Sequence, residues 1–202
     1  HTAYRRQRQM CIRDRFYFPH YGGYEVYDKV MKDTSISDFQ LVSWILGRCA
    51  TLEEVKEAVV NVHVINIDSR ASTVHWRFAD RTGRQLVLEI TEKEPHFYEN
   101  TLGVLTNSPS FEWQLTNLNN YVNLHPGTAQ SHKLGNIELS SFGAGSGFLG
   151  LPGDVTPPSR FVRAAFYQAT APQKSSTLET VLQCFQTVSY THLRAHETEA
   201  DL

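Results

Sequence analysis

The spacing of apolar residues changes period part-way along this chain, and that change decides its fold class. In residues 38–46, Phe39, Val42, Trp44, Ile45 and Leu46 recur as on a mostly buried helix, and Leu52, Val55 and Val59 mark one face of a second helix. From residue 74 the period becomes two. Val74, Trp76 and Phe78 alternate with His75 and Arg77, and Leu86, Leu88 and Ile90 alternate with Val87 and Glu89, so both segments read as half-buried strands. Asp80-Arg81-Thr82-Gly83 between them has the composition of a turn, which makes the pair a hairpin. A helix pair followed by a hairpin and further helices requires an α+β, layered arrangement.

Local signals place the element ends. Ser35 or Ser37 can cap the first helix, and Gly47 sits where it should stop. Thr51-Leu52-Glu53-Glu54 is a capping box, in which the Thr hydroxyl serves one free backbone N–H and the Glu carboxylate reaches back to another. Residues 16–21, FYFPHY, read as the end of a buried strand stopped near Pro19. Glu94-Pro95 is expected to break the returning strand, with residues 96–99 resuming it. Residues 103–106 read as a short strand, 112–121 as a helix and 143–153 as a glycine-rich loop. Pro157 and Pro158 precede a helical run at 159–169, and another helix begins near residue 178. No internal repeat or domain boundary is visible within residues 16–186.

The two ends read as something other than native coding sequence. Residues 10–15, MCIRDR, match the translation of a transposase-end sequencing adapter, ATG TGT ATA AGA GAC AG, and Arg5-Arg6-Gln7-Arg8-Gln9 match the adapter upstream of it. Val188-Ser189-Tyr190-Thr191-His192-Leu193 match the reverse complement of the same element, and Arg194-Ala195-His196-Glu197-Thr198 its continuation. Residues 1–15 and 188–202 are therefore expected to be adapter-derived, and residues 16–187 to be an interior piece of a longer domain, incomplete at both ends. The basic run Arg5-Arg6-Gln7-Arg8 then carries no message about nucleic acid, and the His192/His196 spacing none about metal.

Composition excludes several classes. Of 202 residues, 41% are apolar and 20% charged, which suits one globular domain. No apolar run reaches the ~18 residues of a membrane helix, and no signal-peptide pattern is expected. The formal net charge is -2, and without the two ends the remainder is more acidic, so no nucleic-acid partner is expected. Cys11, Cys49 and Cys184 form no paired framework and no CxxC, which favours a reducing compartment. Cys49 and Cys184 lie on apolar helical patterns and read as buried packing residues. Gly143-Ala144-Gly145-Ser146-Gly147 lacks the preceding strand and the glycine spacing of a nucleotide loop, and Ser146 lacks the full GxSxG pattern. His20, His63, His75, His96, His125 and His132 show no metal-ligand spacing.

Three phrases carry more information. Residues 103–109 read GVLTNSP, residues 113–121 WQLTNLNNY and residues 147–161 GFLGLPGDVTPPSRF. Together, and in this order, they closely resemble the choloylglycine hydrolase family, which holds bile salt hydrolases and penicillin V acylases. The resemblance covers essentially all of residues 16–186. It implies a four-layer αββα N-terminal-nucleophile hydrolase fold and a cysteine exposed as residue one after removal of the initiator Met. The thiolate would attack an amide carbonyl while its own α-amino group shuttles protons. With a thiol pKa of ~8.5 and an α-amine pKa of ~7.7–8.0, both groups are near their working states at neutrality. A thioester intermediate divides one hard hydrolysis into two easier steps.

The resemblance also implies roles for three residues. Asn107 matches the family asparagine that donates to the oxyanion; read alone, it holds a turn before Pro. Arg160 matches the family arginine whose charge favours the thiolate; read alone, it forms an ordinary ion pair at a helix start. Tyr17 matches the position whose backbone N–H contributes to the oxyanion hole, and Tyr there tilts the choice of substrate towards aromatic acyl amides, as in penicillin V acylases; read alone, it is core. Met10-Cys11 imitates the family start but belongs to the expected adapter, so the nucleophile is expected to be missing. No cofactor or metal is implied. The long stretch 119–143 matches family members with an extended assembly segment, which implies a cytoplasmic homo-tetramer acting on a small-molecule acyl amide. Two alternatives stay open: a non-catalytic acyl-amide-binding domain of the same fold, and a related acylase of lactone signals or lipid amides.

Overall fold

A computed structural model of the chain describes residues 10–15, 32–65, 67, 74–91, 94–171 and 176–192. It divides into two compact units, His1–Glu112 and Trp113–Leu202. In the first unit, β1 (Met10–Arg15) is followed by β2 (Ser35–Ser37), which runs directly into α1 (Asp38–Arg48). Of the two candidate caps, Ser37 holds the position, its hydroxyl accepting from the Phe39 N–H at 3.3 Å. The helix continues past Gly47, and the Cys49 N–H closes the last turn on the Ile45 carbonyl. In α2 (Leu52–Val60) the capping box forms as expected: Thr51 Oγ1 accepts from the Glu54 N–H, and the Glu54 carboxylate reaches back to the N–H of Ala50. After α2, β3 (His63–Ile65) pairs parallel to β2.

β4 (Val74–Ala79), β5 (Gln85–Thr91) and β6 (Glu94–Glu99) are successive antiparallel neighbours, and the full sheet order is β1-β4-β5-β6. The expected hairpin is present, with the Asp80 carboxylate accepting the Thr82 N–H inside its turn. Pro95 does not break the sheet. It lies within β6 at the sheet edge, where a missing N–H costs no ladder bond. Met10–Arg15, expected from its match to translated adapter to be non-native, pairs with β4 from Met10↔Ala79 to Arg15↔Val74. Ladder bonds are made by main-chain groups, so such pairing is indifferent to the origin of the sequence.

One face of β4 and β5 meets the helix pair. Trp76, Phe78, Leu86 and Leu88 pack with Leu41, Ile45, Leu52, Val55 and Val59 in one continuous core. Each such side chain contributes roughly 1.5–3 kcal/mol on burial. The opposite face is buried as well, against the half-buried expectation: His75, Val87 and Glu89 are all 3% exposed or less. Polar residues at alternate positions normally report a solvent face. Here His75 and Glu89 face each other at 3.4 Å, and that pairing makes burial tolerable. At the turn of the hairpin, Arg84 bonds Glu53 of α2 and Glu99 of β6 at 3.0 and 2.7 Å.

α3 (Phe111–Asn117) crosses the division between the units and ends in a 3-10 turn, Leu118–Tyr121, where the sequence suggests one longer helix. The second unit continues with an exposed hairpin, β7 (His132–Leu134) and β8 (Ile137–Leu139), and a 3-10 turn, Ser146–Phe148. It closes with α4 (Pro157–Thr170) and α5 (Thr177–His192), which pack together. Cys49 is buried as expected, whereas Cys184 is exposed, as are Leu178, Leu182 and Phe185 on the same helix.

Candidate active site

Asn107 lies in a segment that is neither helix nor strand. Residues 103–106 are assigned to no strand, and Gly103 has a φ of 68°, so the expected short strand is absent. The turn that follows contains a cis Ser108–Pro109 peptide, with Thr106 and Ser108 buried on either side of the partly exposed Asn107. Buried side chains hold both ends of this segment. Asn100, 3% exposed, accepts the Gly103 N–H at 2.9 Å and donates to the Val104 carbonyl at 3.0 Å. Glu89 Oε1 accepts the Phe111 N–H at 2.9 Å, where α3 begins. Phe111 is itself buried and packs its ring on Tyr98 at 5.9 Å.

Arg160 sits in the first turn of α4, 8% exposed. The start of this helix is determined by its sequence. Pro157 and Pro158 occupy the first helical positions, where the absent N–H groups lack intrahelical partners in any case. The first helical bond is then the Arg160 N–H to the Thr156 carbonyl, 2.9 Å. Thr156 is the N-cap, but its hydroxyl bonds the side chains of Asp154 and Ser159 rather than a backbone N–H of the helix. Asp154 gathers the turn, accepting from the Thr156 N–H, the Thr156 hydroxyl and the Ser159 hydroxyl at 2.9, 2.5 and 2.6 Å. These bonds, led by that from Ser159, hold its carboxyl down at about 2. Arg163, one turn beyond Arg160, donates to the Pro152 and Asp154 carbonyls at 2.8 and 2.5 Å. The PGDVTPPSRF stretch is thus bonded largely to itself, with Arg160 buried in its first helical turn.

The glycine-rich phrase before it has a steric reason. A Cβ on Gly147 would lie 2.3 Å from the His125 carbonyl oxygen, so only glycine permits this approach. The loop is stitched to residues 125–129 by His125 N–H to Gly147 carbonyl and Gly147 N–H to Gly127 carbonyl bonds, 3.0 and 3.1 Å. Phe148 then packs edge-on against Phe166 of α4.

Asn107 belongs to the first unit and Arg160 to the second, and Tyr17 lies outside the described residues. No group of three or more His, Cys, Asp or Glu among the described residues is placed to hold a metal ion. Among them, too, no helix is long and apolar enough to cross a membrane. Sequence reasoning did not single out Glu89, His75 or Asn100. The first two occupy the polar positions of alternating strands, which the pattern assigned to the solvent side.

Residues 9–199 match the family described as linear amide C–N hydrolases, choloylglycine hydrolase family. The chain belongs to the choloylglycine hydrolase family. Within it, the bile salt hydrolase/transferase of Clostridium perfringens is 40% identical over 153 residues, covering 74% of this chain and 46% of that protein. A bile salt hydrolase/transferase from Lactiplantibacillus plantarum is 37% identical over 170 residues, covering 82% and 52%. The crystal structure of a conjugated bile acid hydrolase variant from Clostridium perfringens superposes with a TM-score of 0.74 at 33% identity, covering 92% of this chain and 57% of that one. Penicillin V acylase from Agrobacterium tumefaciens shares the fold, with a TM-score of 0.64 at 21% identity over 83% of this chain and 46% of that one. The architecture is therefore that of the N-terminal-nucleophile hydrolases of this family, and the chain spans about half the length of the curated relatives it matches.

Proposed function

We propose that the full-length parent of this chain hydrolyses the C–N bond of a small linear acyl amide, a conjugated bile salt or a penicillin V-like amide, through an N-terminal cysteine. The family match across residues 9–199 supports this reading most, since it includes the TNSP and TPPSRF phrases. In the proposed reaction the thiolate adds to the amide carbonyl, and the Asn107 side-chain amide and the Tyr17 backbone N–H donate to the resulting oxyanion. The α-amino group passes the thiol proton to the departing amine, and water then cleaves the thioester. Arg160 is the fixed charge that favours the thiolate. The nucleophile lies upstream of residue 16 in the parent, and residues 1–15 and 188–202 are adapter-derived. A cytoplasmic homo-tetramer is part of the same reading.

The test is to extend the source gene outward from the codon for Phe16, read its opening codons and assay the complete protein. A Met-Cys opening, with turnover of glycine- or taurine-conjugated bile salts or of penicillin V, is expected. Turnover confined to acyl lactones or lipid amides moves the substrate assignment to that class. An opening without Cys, with binding but no turnover, replaces the enzyme with an acyl-amide-binding domain. Native coding sequence continuous through Met10-Cys11 overturns the account of the ends.

A further inference from the structure

The segment that carries Asn107 has no ladder or helix of its own to fix its backbone. Buried side chains hold its two ends. At the near end Asn100 brackets Gly103 and Val104; at the far end Glu89 takes the N–H of Phe111, four residues after Asn107. Glu89 stands on β5, which is flanked by β4 and β6 and so is interior to the sheet. It is 3% exposed, and the same oxygen that accepts from Phe111 faces Nδ1 of His75, itself 1% exposed, at 3.4 Å.

For packing alone, an apolar side chain would fill this space without the desolvation cost of a carboxylate. What the Glu89 side chain adds is an oxygen acceptor 2.9 Å from the Phe111 nitrogen at the start of α3. A rigid strand thereby sets the position of an irregular turn, and His75 on the adjacent strand holds the carboxylate in place.

We propose that Glu89 is the positioning residue for Asn107, fixing the oxyanion-donor turn through the backbone of Phe111, with His75 as its support. The proposal rests on the reading of Asn107 given above. An oxyanion donor acts in the transition state and barely in the ground state, so loosening the turn lowers kcat and leaves KM nearly unchanged. A displacement on the order of 1 Å costs about 100-fold.

The experiment has two readouts on the complete parent protein, comparing Glu89→Gln with Glu89→Leu. Glu89→Gln keeps an oxygen acceptor for Phe111; Glu89→Leu does not. In hydrogen exchange, Glu89→Leu is expected to raise exchange at the Phe111 amide by about tenfold or more, with Glu89→Gln close to wild type. In kinetics per titrated active-site thiol, Glu89→Leu is expected to lose about 10- to 100-fold in kcat with KM within about twofold, and Glu89→Gln to recover most of that loss. Thiol titration removes unfolded molecules from the rate. An unchanged kcat per active site in Glu89→Leu, a loss carried by KM, or equal losses in both variants overturns the proposal. If the wild-type parent is inert, the functional reading fails, and hydrogen exchange still decides whether Glu89 holds the turn.

Discussion

Asp154 is exposed, yet three hydrogen bonds hold its carboxyl at about 2, below the ordinary value of 3.8. A group whose folded pKa is depressed contributes stability that is fully present above its unfolded pKa and is lost as pH falls through the folded one. The melting-temperature difference between wild type and Asp154→Ala is therefore expected to be constant above about pH 5 and to shrink between about pH 4 and pH 2. A difference that persists undiminished at the acid end would show that the Asp154 carboxylate is not what ties Thr156 and Ser159 together. Asn107 gives a second prediction at this scale. In an active parent, Asn107→Ala is expected to reduce kcat by roughly 100- to 1000-fold, measured at saturating substrate. Asn107 was legible through the TNSP phrase that carries the family resemblance, whereas Asp154 lies in another such phrase without having been singled out. Glu89 was not legible, because its partner Phe111 is twenty-two residues away and nothing near Glu89 in sequence announces it.

At the level of elements, the capping box shows what local sequence can specify. Thr51 and Glu54 satisfy backbone N–H groups within four residues of each other, and no tertiary contact is needed to infer it. Thr51→Ala is expected to lower stability by about 1 kcal/mol, read from the midpoint of urea unfolding at unchanged slope. The strands show the opposite case. Alternation in β4 and β5 predicted one wet face, whereas Val87 has no exposure at all. Val87→Asn therefore separates the two readings. It is expected to cost about 1–3 kcal/mol, the mutational cost of an unsatisfied buried amide, where a solvent-facing position would tolerate it within about 0.5 kcal/mol. Pro95 and the Pro157–Pro158 pair behave alike: each was read as a boundary and each lies inside an element, at a position where no N–H is required.

For the whole molecule, the proposed account of the ends predicts that this chain, expressed as it stands, shows no amidase activity and that Cys11→Ser changes nothing. Hydrolysis abolished by Cys11→Ser would contradict it. Exposed apolar side chains on α5 (Leu178, Leu182 and Phe185) and on the hairpin (Leu134 and Ile137), together with the fully exposed Phe142, predict concentration-dependent self-association in sedimentation. A monodisperse monomer would count against that. The division of the chain falls within α3, where no proline, glycine or charge run marks it, so it is a property of contacts rather than of composition. By itself the sequence determined the α+β class, the helix caps, the hairpin and the three family phrases that single out Asn107 and Arg160. These depend on periodicity and on bonds spanning a few residues. Tertiary structure alone decided that the β4–β5 pair buries Val87, Glu89 and His75 on the face away from the helix pair. It also decided that Glu89 of β5 takes the N–H of Phe111. Each of these depends on groups brought together across long stretches of chain, and local pattern carries no record of them.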